Sequence, residues 1–482
     1  MPYSSRMQKK RIAWTMLAAL ASETVNKVAP LLTMHFAASR LGAAGFGVSQ
    51  FALWLLEWGI ILVAFGYPQA IPVALRRAES PQEKKELAGA LVLNRLVQAA
   101  CAILAVWVIV RSNPEYGVYW PAVASSLFIL LLSAFDMSGV LIAVQRVGSY
   151  SMVMVGAKLA SLVAVWMLIQ STGDASLYVL ITNGANGLIC VGSFLLAWHF
   201  MGLSMPSLTQ MRKMFRLSVP FAISVFALVL VERFDLYLIE RSMGPVGAGW
   251  YSGPMKLMQS IIPLIASVST VFYSEMVGIH DADSMKKHLK FSLLSVMLFI
   301  MPLIVGTWFT GAEILKLIFG AGFENQGHTL SILVLNSLAH AVILMIGFQT
   351  LGLRHRMRPV YSALFLGLLA GVIFGPTLVE NFDYAGAAAA SVISRWIAAG
   401  IILLIARNVG LVGFREFIRP LLQAGLPALA MGVVLALAEQ AGAKSLATLL
   451  GLGAASYIAF FLAINRSDAK KIYAIILKPR LG

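Results

Sequence analysis

Apolar residues in this chain run in long unbroken stretches that short basic or glycine- and proline-containing segments separate. Residues 264–278 and 291–309 are typical, and neither shows the alternating pattern of a membrane β-strand. A run of about 20 apolar residues crosses a bilayer as a helix. The pattern predicts fourteen transmembrane helices, near residues 12–38, 47–75, 87–110, 118–144, 150–170, 175–199, 217–239, 249–278, 290–310, 328–352, 359–378, 384–406, 417–438 and 445–464.

The composition agrees with this pattern. The 482 residues are 59% hydrophobic and 12% charged, whereas an ordinary soluble domain is about 45–50% apolar and about 25% charged. A soluble fold cannot keep so much apolar surface away from water. The first apolar stretch continues to about residue 38, which is too long for a signal-peptide core, so we expect it to be the first span. The sequence therefore predicts an all-α polytopic membrane protein.

The net charge of +16 is explained by membrane topology. If the N-terminus is cytoplasmic, 26 of the 37 Lys and Arg residues lie in cytoplasmic segments and only 5 lie on the opposite side. Basic residues concentrate in cytoplasmic loops of membrane proteins. Both termini are therefore expected in the cytoplasm, and the positive charge gives no reason to expect a nucleic-acid partner.

The chain offers little room for chemistry outside the membrane. Its longest polar connections are roughly 199–216, 279–289 and 311–327, too short for a catalytic domain. Cys101 and Cys190 lie in apolar runs without a nearby His or Cys, as small hydrophobic residues of the helices do. We therefore expect a non-enzymatic protein without a metal or cofactor, whose function lies among its helices.

An internal repeat is indicated by three glycines in register. Gly42, Gly45 and Gly47 follow the first span, and Gly244, Gly247 and Gly249 follow the seventh, 202 residues later. Both segments are predicted on the outside, between an odd and an even helix. The offset therefore predicts a parallel duplication of six helices.

Three segments, taken in order, carry a resemblance to a known family. Residues 41–48 (LGAAGFGV) resemble the LGPxxYG loop that follows the first helix of polysaccharide transporters, with Ala43 and Ala44 where that loop has a proline and an acidic residue. Residues 314–323 (ILKLIFGAGF) resemble their LLFGxxF segment, and residues 384–390 (YAGAAAA) their GAAxA segment. The chain thus resembles the polysaccharide transporters and O-antigen flippases of the multidrug/oligosaccharidyl-lipid/polysaccharide exporter superfamily.

The resemblance implies two six-helix lobes around a central cavity, at residues 1–203 and 204–410, with two further helices and a cytoplasmic tail at 411–482. It implies a flippase of the bacterial cytoplasmic membrane. Its substrate would be an undecaprenyl-pyrophosphate-linked oligosaccharide, an O-antigen or exopolysaccharide repeat unit, moved from the inner to the outer leaflet by alternating access. Implied partners are membrane lipids, an H⁺ or Na⁺ counter-ion, a glycan polymerase and a chain-length regulator.

Three other functions stay open at this stage. A peptidoglycan-precursor flippase would share fourteen helices and basic cavity residues. A cation-coupled multidrug exporter of the same superfamily would prefer an acidic cavity, whereas this chain has as many basic as acidic residues inside its spans. A membrane glycan polymerase or ligase, from a different class, would need a larger outer loop or a catalytic carboxylate pair, and the connection near 311–327 offers only Glu313 and Glu324.

Charged residues inside the spans are the candidates for substrate and ion sites. A charge at the centre of a bilayer costs about 2.5–3.5 kcal/mol on insertion scales, so such residues normally face protein or water. Lys158 and Arg395 are the leading ligands for the pyrophosphate, because each lies mid-helix without a charged neighbour on its own span. The other basic candidates for the pyrophosphate or glycan are Lys27, Arg233, Lys256 and Arg95.

The absence of any nucleotide-binding motif points to an ion gradient as the energy source. Asp136 is the leading proton or cation site, with a plain helix-to-helix hydrogen bond as its alternative, and the other acidic candidates are Glu57, Glu23 and Asp235. Some of these charges also have simpler interpretations. Glu23 and Lys27 have the spacing of an ion pair within one helix, and Arg95 is expected to extend to the cytoplasmic interface. Glu232, Arg233 and Asp235 are expected to form an interfacial network.

Overall fold

The computed structural model describes the backbone of residues 3–276, 281–352, 354, 357–443 and 445–465, and every regular element within these ranges is helical. The predicted all-α membrane fold is therefore confirmed. Short 3₁₀ turns join several helices, and a π-helix, Ile343–Leu351, continues α11. The α-helices are α1 Tyr3–Ala64, α2 Tyr67–Arg77, α3 Pro81–Ser112, α4 Trp120–Ala124, α5 Phe128–Leu132, α6 Ser138–Ala143, α7 Val147–Leu168, α8 Ala175–Met201, α9 Leu208–Met276, α10 Ala282–Phe319, α11 Gly327–Val342, α12 Met357–Asn408, α13 Phe414–Gln440 and α14 Leu446–Ile464.

Ten helical stretches of the described chain are long and apolar enough to cross a membrane, and a bent pair, Pro114–Ala124 with Phe128–Ala143, makes eleven. Three of the ten contain 50, 62 and 52 residues. At 1.5 Å per residue each is at least twice as long as the hydrocarbon core is thick. Two crossings in each of these three would give the fourteen spans that the sequence predicts, and that count stays a prediction.

Each of the three long stretches has a break inside a helix, and the first also has the turn at Phe65 and Gly66 that separates α1 from α2. Gly42 breaks α1 with φ 64° and ψ 178°, Gly244 breaks α9 with φ 65° and ψ −162°, and Phe382 and Asp383 break α12. The sequence predicted loops of five to nine residues there, and the structure instead resumes the helix after one or two residues. Glycine reaches positive φ without strain, and a membrane penalises every unpaired backbone group, so a short break replaces a loop.

The described helices form two compact units. The first unit contains the chain up to Val229 together with Met243–Gly249, and the second contains Leu230–Ser242 and the chain from Trp250 onward. The core of the first unit includes Phe51, Tyr119 and Leu130, all without exposed surface. Buried residues of the second unit include Ile346, Ala387 and Ile402. The three-part division predicted from the sequence stays a prediction.

Two equivalent segments of the predicted repeat pack against each other within the first unit. A Cβ atom on Gly47 would lie 1.7 Å from the carbonyl oxygen of Pro245, and a Cβ atom on Gly249 would lie 1.9 Å from that of Ala43. The offset of 202 residues that relates Gly42 to Gly244 also relates Ala43 to Pro245 and Gly47 to Gly249. The two close contacts are therefore copies of each other, as a duplicated segment would produce.

Candidate functional site

A buried cation lies beside the break between α5 and α6 in the first unit. Arg95, on α3, is only 1% exposed, and its guanidinium donates a hydrogen bond to the backbone carbonyl of Asp136. The same group lies 4.0 Å from the Asp136 carboxylate and 5.6 Å from the ring of Tyr67. The helix break exposes a carbonyl that the helix no longer satisfies, and Arg95 supplies the missing donor.

The carboxylate of Asp136 is held by its own chain as well. Its two oxygens accept hydrogen bonds from the backbone N–H and the hydroxyl of Ser138, at 3.0 and 3.1 Å, at the start of α6. The interface position expected for Arg95 is therefore wrong. Asp136 and the ring of Tyr67 offset the desolvation cost of the Arg95 guanidinium, which does not reach water.

Lys158 lies on α7 and is partly buried. Its ammonium donates to the side-chain oxygen of Asn186 on α8, at 3.0 Å. The sequence led us to expect a partner across the cavity or a bound anion, and the structure provides a local, neutral one. A neutral amide leaves the charge of Lys158 uncompensated, so the ammonium can still bind an anion.

The second unit contains a buried cluster that joins three helices. The side chain of Glu232, on α9, lies 3.1 Å from Nδ1 of His340 on α11. Arg395, on α12, is 3% exposed and donates from Nη2 to the backbone carbonyl of Glu232 at 3.0 Å. Its Nε and Nη1 groups are buried and have no hydrogen-bond partner among the described residues. The cluster thus combines one carboxylate with a titratable and a permanent cation.

The surroundings of this cluster are polar and closely packed. The carboxylate of Asp235 is 1% exposed and accepts hydrogen bonds from the hydroxyl of Tyr251, at 2.8 Å, and from the N–H of Leu236, at 3.0 Å. Asn336, one turn before His340, donates to the hydroxyl of Ser391 at 3.2 Å. These groups surround the cluster with fixed dipoles.

Three glycines on one face of α12 allow the helices around Arg395 to approach closely. A Cβ on Gly367 would lie 2.3 Å from the carbonyl of Ser394, and one on Gly371 would lie 2.5 Å from the ring of Phe234. Gly375, one turn further, would meet Leu238 at 2.5 Å. Small residues four apart are a common device for close packing of membrane helices. This spacing brings α9 and both halves of α12 together at the cluster.

The structure brings only some of the predicted charges together. Asp235 and Arg395 lie in the second unit around Glu232, and Asp136 and Arg95 meet in the first. Glu57, Arg233 and Lys256 are partly buried, the first on α1 and the others on α9. Glu232 and Asp235 are enclosed by helices of the second unit, where we expected an interfacial network. The side chains of Glu23 and Lys27 lie outside the described part of the structure.

His340, the central residue of this cluster, was not among the residues predicted from the sequence. The predicted candidates were Lys, Arg, Asp and Glu, although a histidine within a span is also costly and usually functional. His340 stands thirteen residues from the start of α11 at Gly327 and immediately before the π-helical segment. A π-helix within a longer helix frequently marks a functional site. The glycine spacing at 367, 371 and 375 was a second unused signal.

Long broken helices and charges enclosed between them define a multi-pass helical membrane protein whose chemistry lies inside its helical units. Two solved structures share this fold. "Lipid II flippase MurJ, inward closed conformation" superposes with a TM-score of 0.68 at 14% identity, covering 94% of this chain and 99% of its own. "Outward-facing conformation of a multidrug resistance MATE family transporter of the MOP superfamily" gives 0.55 at 14% identity, covering 82% and 94%.

The structural comparison shows the fold, and the sequence comparison identifies the family. Residues 12–280 match the family described as "Polysaccharide biosynthesis protein", and the chain belongs to that family. A relative from Haloferax volcanii, named "Probable low-salt glycan biosynthesis flippase Agl15", is 23% identical over 371 residues, which is 75% of this chain and 76% of the relative.

Proposed function

We propose that this protein is a flippase that moves an undecaprenyl-pyrophosphate-linked oligosaccharide, an O-antigen or exopolysaccharide repeat unit, across the bacterial cytoplasmic membrane. The observation that carries the proposal is the family match over residues 12–280. The relative named as a glycan biosynthesis flippase and the fold shared with a lipid II flippase support the same activity. Transport proceeds by alternating access from the inner to the outer leaflet, driven by an ion gradient.

Lys158 binds the pyrophosphate in this proposal. Phosphoryl oxygens cannot enter an apolar region unpaired, and a lysine whose protein partner is the neutral amide of Asn186 retains its charge for them. Arg233, Lys256, Arg95 and Lys27 remain further candidates for the phosphates or the glycan. Arg395 is 3% exposed in this conformation, so it reaches an anion only after the second unit rearranges.

A peptidoglycan-precursor flippase is the second candidate, because the shared fold with the lipid II flippase covers 94% of this chain. Both cargoes carry a pyrophosphate on a polyprenyl chain, so the glycan decides between them. A glycan polymerase and a chain-length regulator are proposed partners only if the cargo is a surface polysaccharide.

The test is complementation in two bacterial strains, one lacking its O-antigen flippase and one depleted of its lipid II flippase, with membrane abundance measured in parallel. Restored surface glycan in the first strain supports the proposal, and rescue of growth in the second supports the alternative. Lys158→Glu should abolish the restored function, whereas Lys287→Glu, at an exposed position, should retain it. Full surface glycan from Lys158→Glu would contradict the role of Lys158.

A further inference from the structure

We propose that Glu232 and His340 hold the proton that couples transport to a proton gradient, and that Arg395 becomes the counter-charge of Glu232 when the proton leaves. The coupling part of this inference rests on the proposed flippase function. The proton site itself rests on the geometry of the second unit.

The carboxylate and the imidazole are placed to share a proton. Glu232 lies 3.1 Å from Nδ1 of His340, and the two side chains are 17% and 8% exposed. The oxygen that faces Nδ1 is Oε1, which is buried and has no other hydrogen-bond partner among the described residues. An imidazole exchanges its proton within the physiological pH range, which no other side chain does at its ordinary pKa. The pair can therefore take up and release a proton.

Arg395 supplies the alternative partner. It already donates from Nη2 to the backbone carbonyl of Glu232, at 3.0 Å, while its Nε and Nη1 groups are buried without a partner among the described residues. Buried donors without partners are costly. Glu232, whose backbone carbonyl already accepts from Arg395, could satisfy them, and its carboxylate faces His340. In this proposal the conformation seen here, with Glu232 facing His340, is assigned to the protonated state, and loss of the proton frees the carboxylate for Arg395.

The neighbouring charges set the direction of the switch. Three further groups on α9 face the cluster: Arg233, Asp235 and the hydroxyl of Tyr251. Arg395 faces it from α12. The carboxylate of Asp235 already accepts a hydrogen bond from Tyr251. The carboxylates are those of Glu232 and Asp235, and the guanidinium groups are those of Arg233 and Arg395. When His340 is neutral, these charges balance. A proton on His340 adds an unbalanced positive charge near Arg395, and in a medium of low dielectric this repulsion is strong.

Exchange of partners would move a helix. In the conformation seen here, Glu232 binds α9 to α11 through His340, and its backbone carbonyl binds α9 to α12 through Arg395. Transfer of the carboxylate to Arg395 would release α11 and strengthen the contact with α12. Two discrete ties that a proton selects are what a two-state transport cycle requires. Asp136 of the first unit offers no such choice, since its carboxylate is held by Ser138 beside the permanent charge of Arg95.

The proton site can be tested without substrate. The full-length protein, labelled with ¹⁵N in its seven histidines, is titrated by NMR in detergent micelles, and the His340 signal is assigned by its loss in His340→Gln. We expect this signal to change with pH, and Glu232→Gln to weaken the proton affinity of His340 at least tenfold. The signal of His328, an exposed histidine at the start of the same helix, should titrate identically in both proteins. A His340 signal that does not titrate, or that ignores Glu232→Gln, would overturn the proposal.

The coupling role is tested by complementation in the strain lacking its O-antigen flippase. His340→Gln and Glu232→Gln should reduce surface glycan at least tenfold at equal membrane abundance, whereas His328→Gln should match the wild type. Full surface glycan from both cluster variants would refute coupling through this pair. If the wild-type protein itself restores no glycan while His340 titrates as expected, the flippase function fails and the proton site stands.

Discussion

Replacing Gly47 by alanine tests the backbone contact between the two segments of the predicted repeat. A Cβ atom there would lie 1.7 Å from the carbonyl oxygen of Pro245, whereas ordinary contact begins at 3.4 Å, so the two segments must separate by about 1.7 Å. A backbone carbonyl cannot turn aside as a flexible side chain can. Gly249→Ala creates the equivalent clash with Ala43 and requires about 1.5 Å.

The expected effect is the balance of two terms. Alanine in place of glycine within a helix gains up to about 1 kcal/mol from helix propensity, and Gly47 and Gly249 are both helical. Overpacking typically costs about 1–3 kcal/mol, and a clash with main chain lies at the upper end. We therefore expect each variant to lose about 1–2 kcal/mol, a factor of about 5–30 in the folded-to-unfolded ratio.

The assay is thermal unfolding of the purified protein in detergent at a fixed heating rate. Gly184→Ala is the matched control, because a Cβ at this helical position meets no atom within 4 Å. It should be neutral or slightly stabilising, while Gly47→Ala and Gly249→Ala should both lower the unfolding temperature. The double variant should lose less than the sum of the two, since separating the segments for one clash also relieves the other.

Two results would refute this reasoning. If Gly47→Ala unfolds at the same temperature as Gly184→Ala, the close contact between Gly47 and Pro245 does not exist. If the double variant loses the full sum, the two contacts are independent and the paired arrangement is wrong.

Three further outcomes are expected. Arg95→Met should remove the donor of a buried backbone carbonyl together with the counter-charge of a carboxylate, at a cost of about 2 kcal/mol or more, visible as lower membrane abundance and unfolding temperature. In a cysteine-free background, a cysteine at Gly117 should react with an impermeant reagent in intact cells and one at Gln82 should not; reaction at Gln82 would contradict the topology. The N–H of Ser284 holds the pKa of Asp281 below its ordinary value at the start of α10, so this cap stabilises above about pH 4 and is lost as the pH falls. Asp281→Ala should therefore destabilise at pH 7, and its effect should shrink as the pH is lowered below about 4.

The helices were predictable from the sequence because their cause is local. Each needs only a run of apolar residues long enough for the hydrocarbon core, and such runs are visible without tertiary information. The breaks were harder to predict. A glycine segment such as 42–47 is equally compatible with a loop and with a helix bent at one residue, and burial in the fold decides between them. The helical course of residues 43–47 follows from the contact of Gly47 with Pro245, 198 residues away in the chain.

The charged residues were predictable as candidates but not as pairs. Their cost inside a membrane singled out Arg95, Asp136 and Arg395 from the sequence alone. Their partners come from distant segments, and no periodicity reveals that the side chain of Glu232 meets His340. The same limit placed Arg95 at the interface, since its partner lies 41 residues further along the chain.

Each of the two units contains a buried arginine beside an acidic residue, but the carboxylate is arranged differently in each. In each, a buried arginine donates to the backbone carbonyl of an acidic residue from another segment, Arg95 to Asp136 in the break before α6 and Arg395 to Glu232 on α9. In the first unit the carboxylate of that residue also faces the arginine, at 4.0 Å. In the second unit the carboxylate faces His340 instead and leaves two arginine donors without partners among the described residues. The Arg95–Asp136 pair thus shows the arrangement that Arg395 and Glu232 would adopt without the histidine. In the second unit the carboxylate faces a titratable imidazole, whereas in the first it faces an arginine, and this is why we place the coupling proton on the pair of Glu232 and His340.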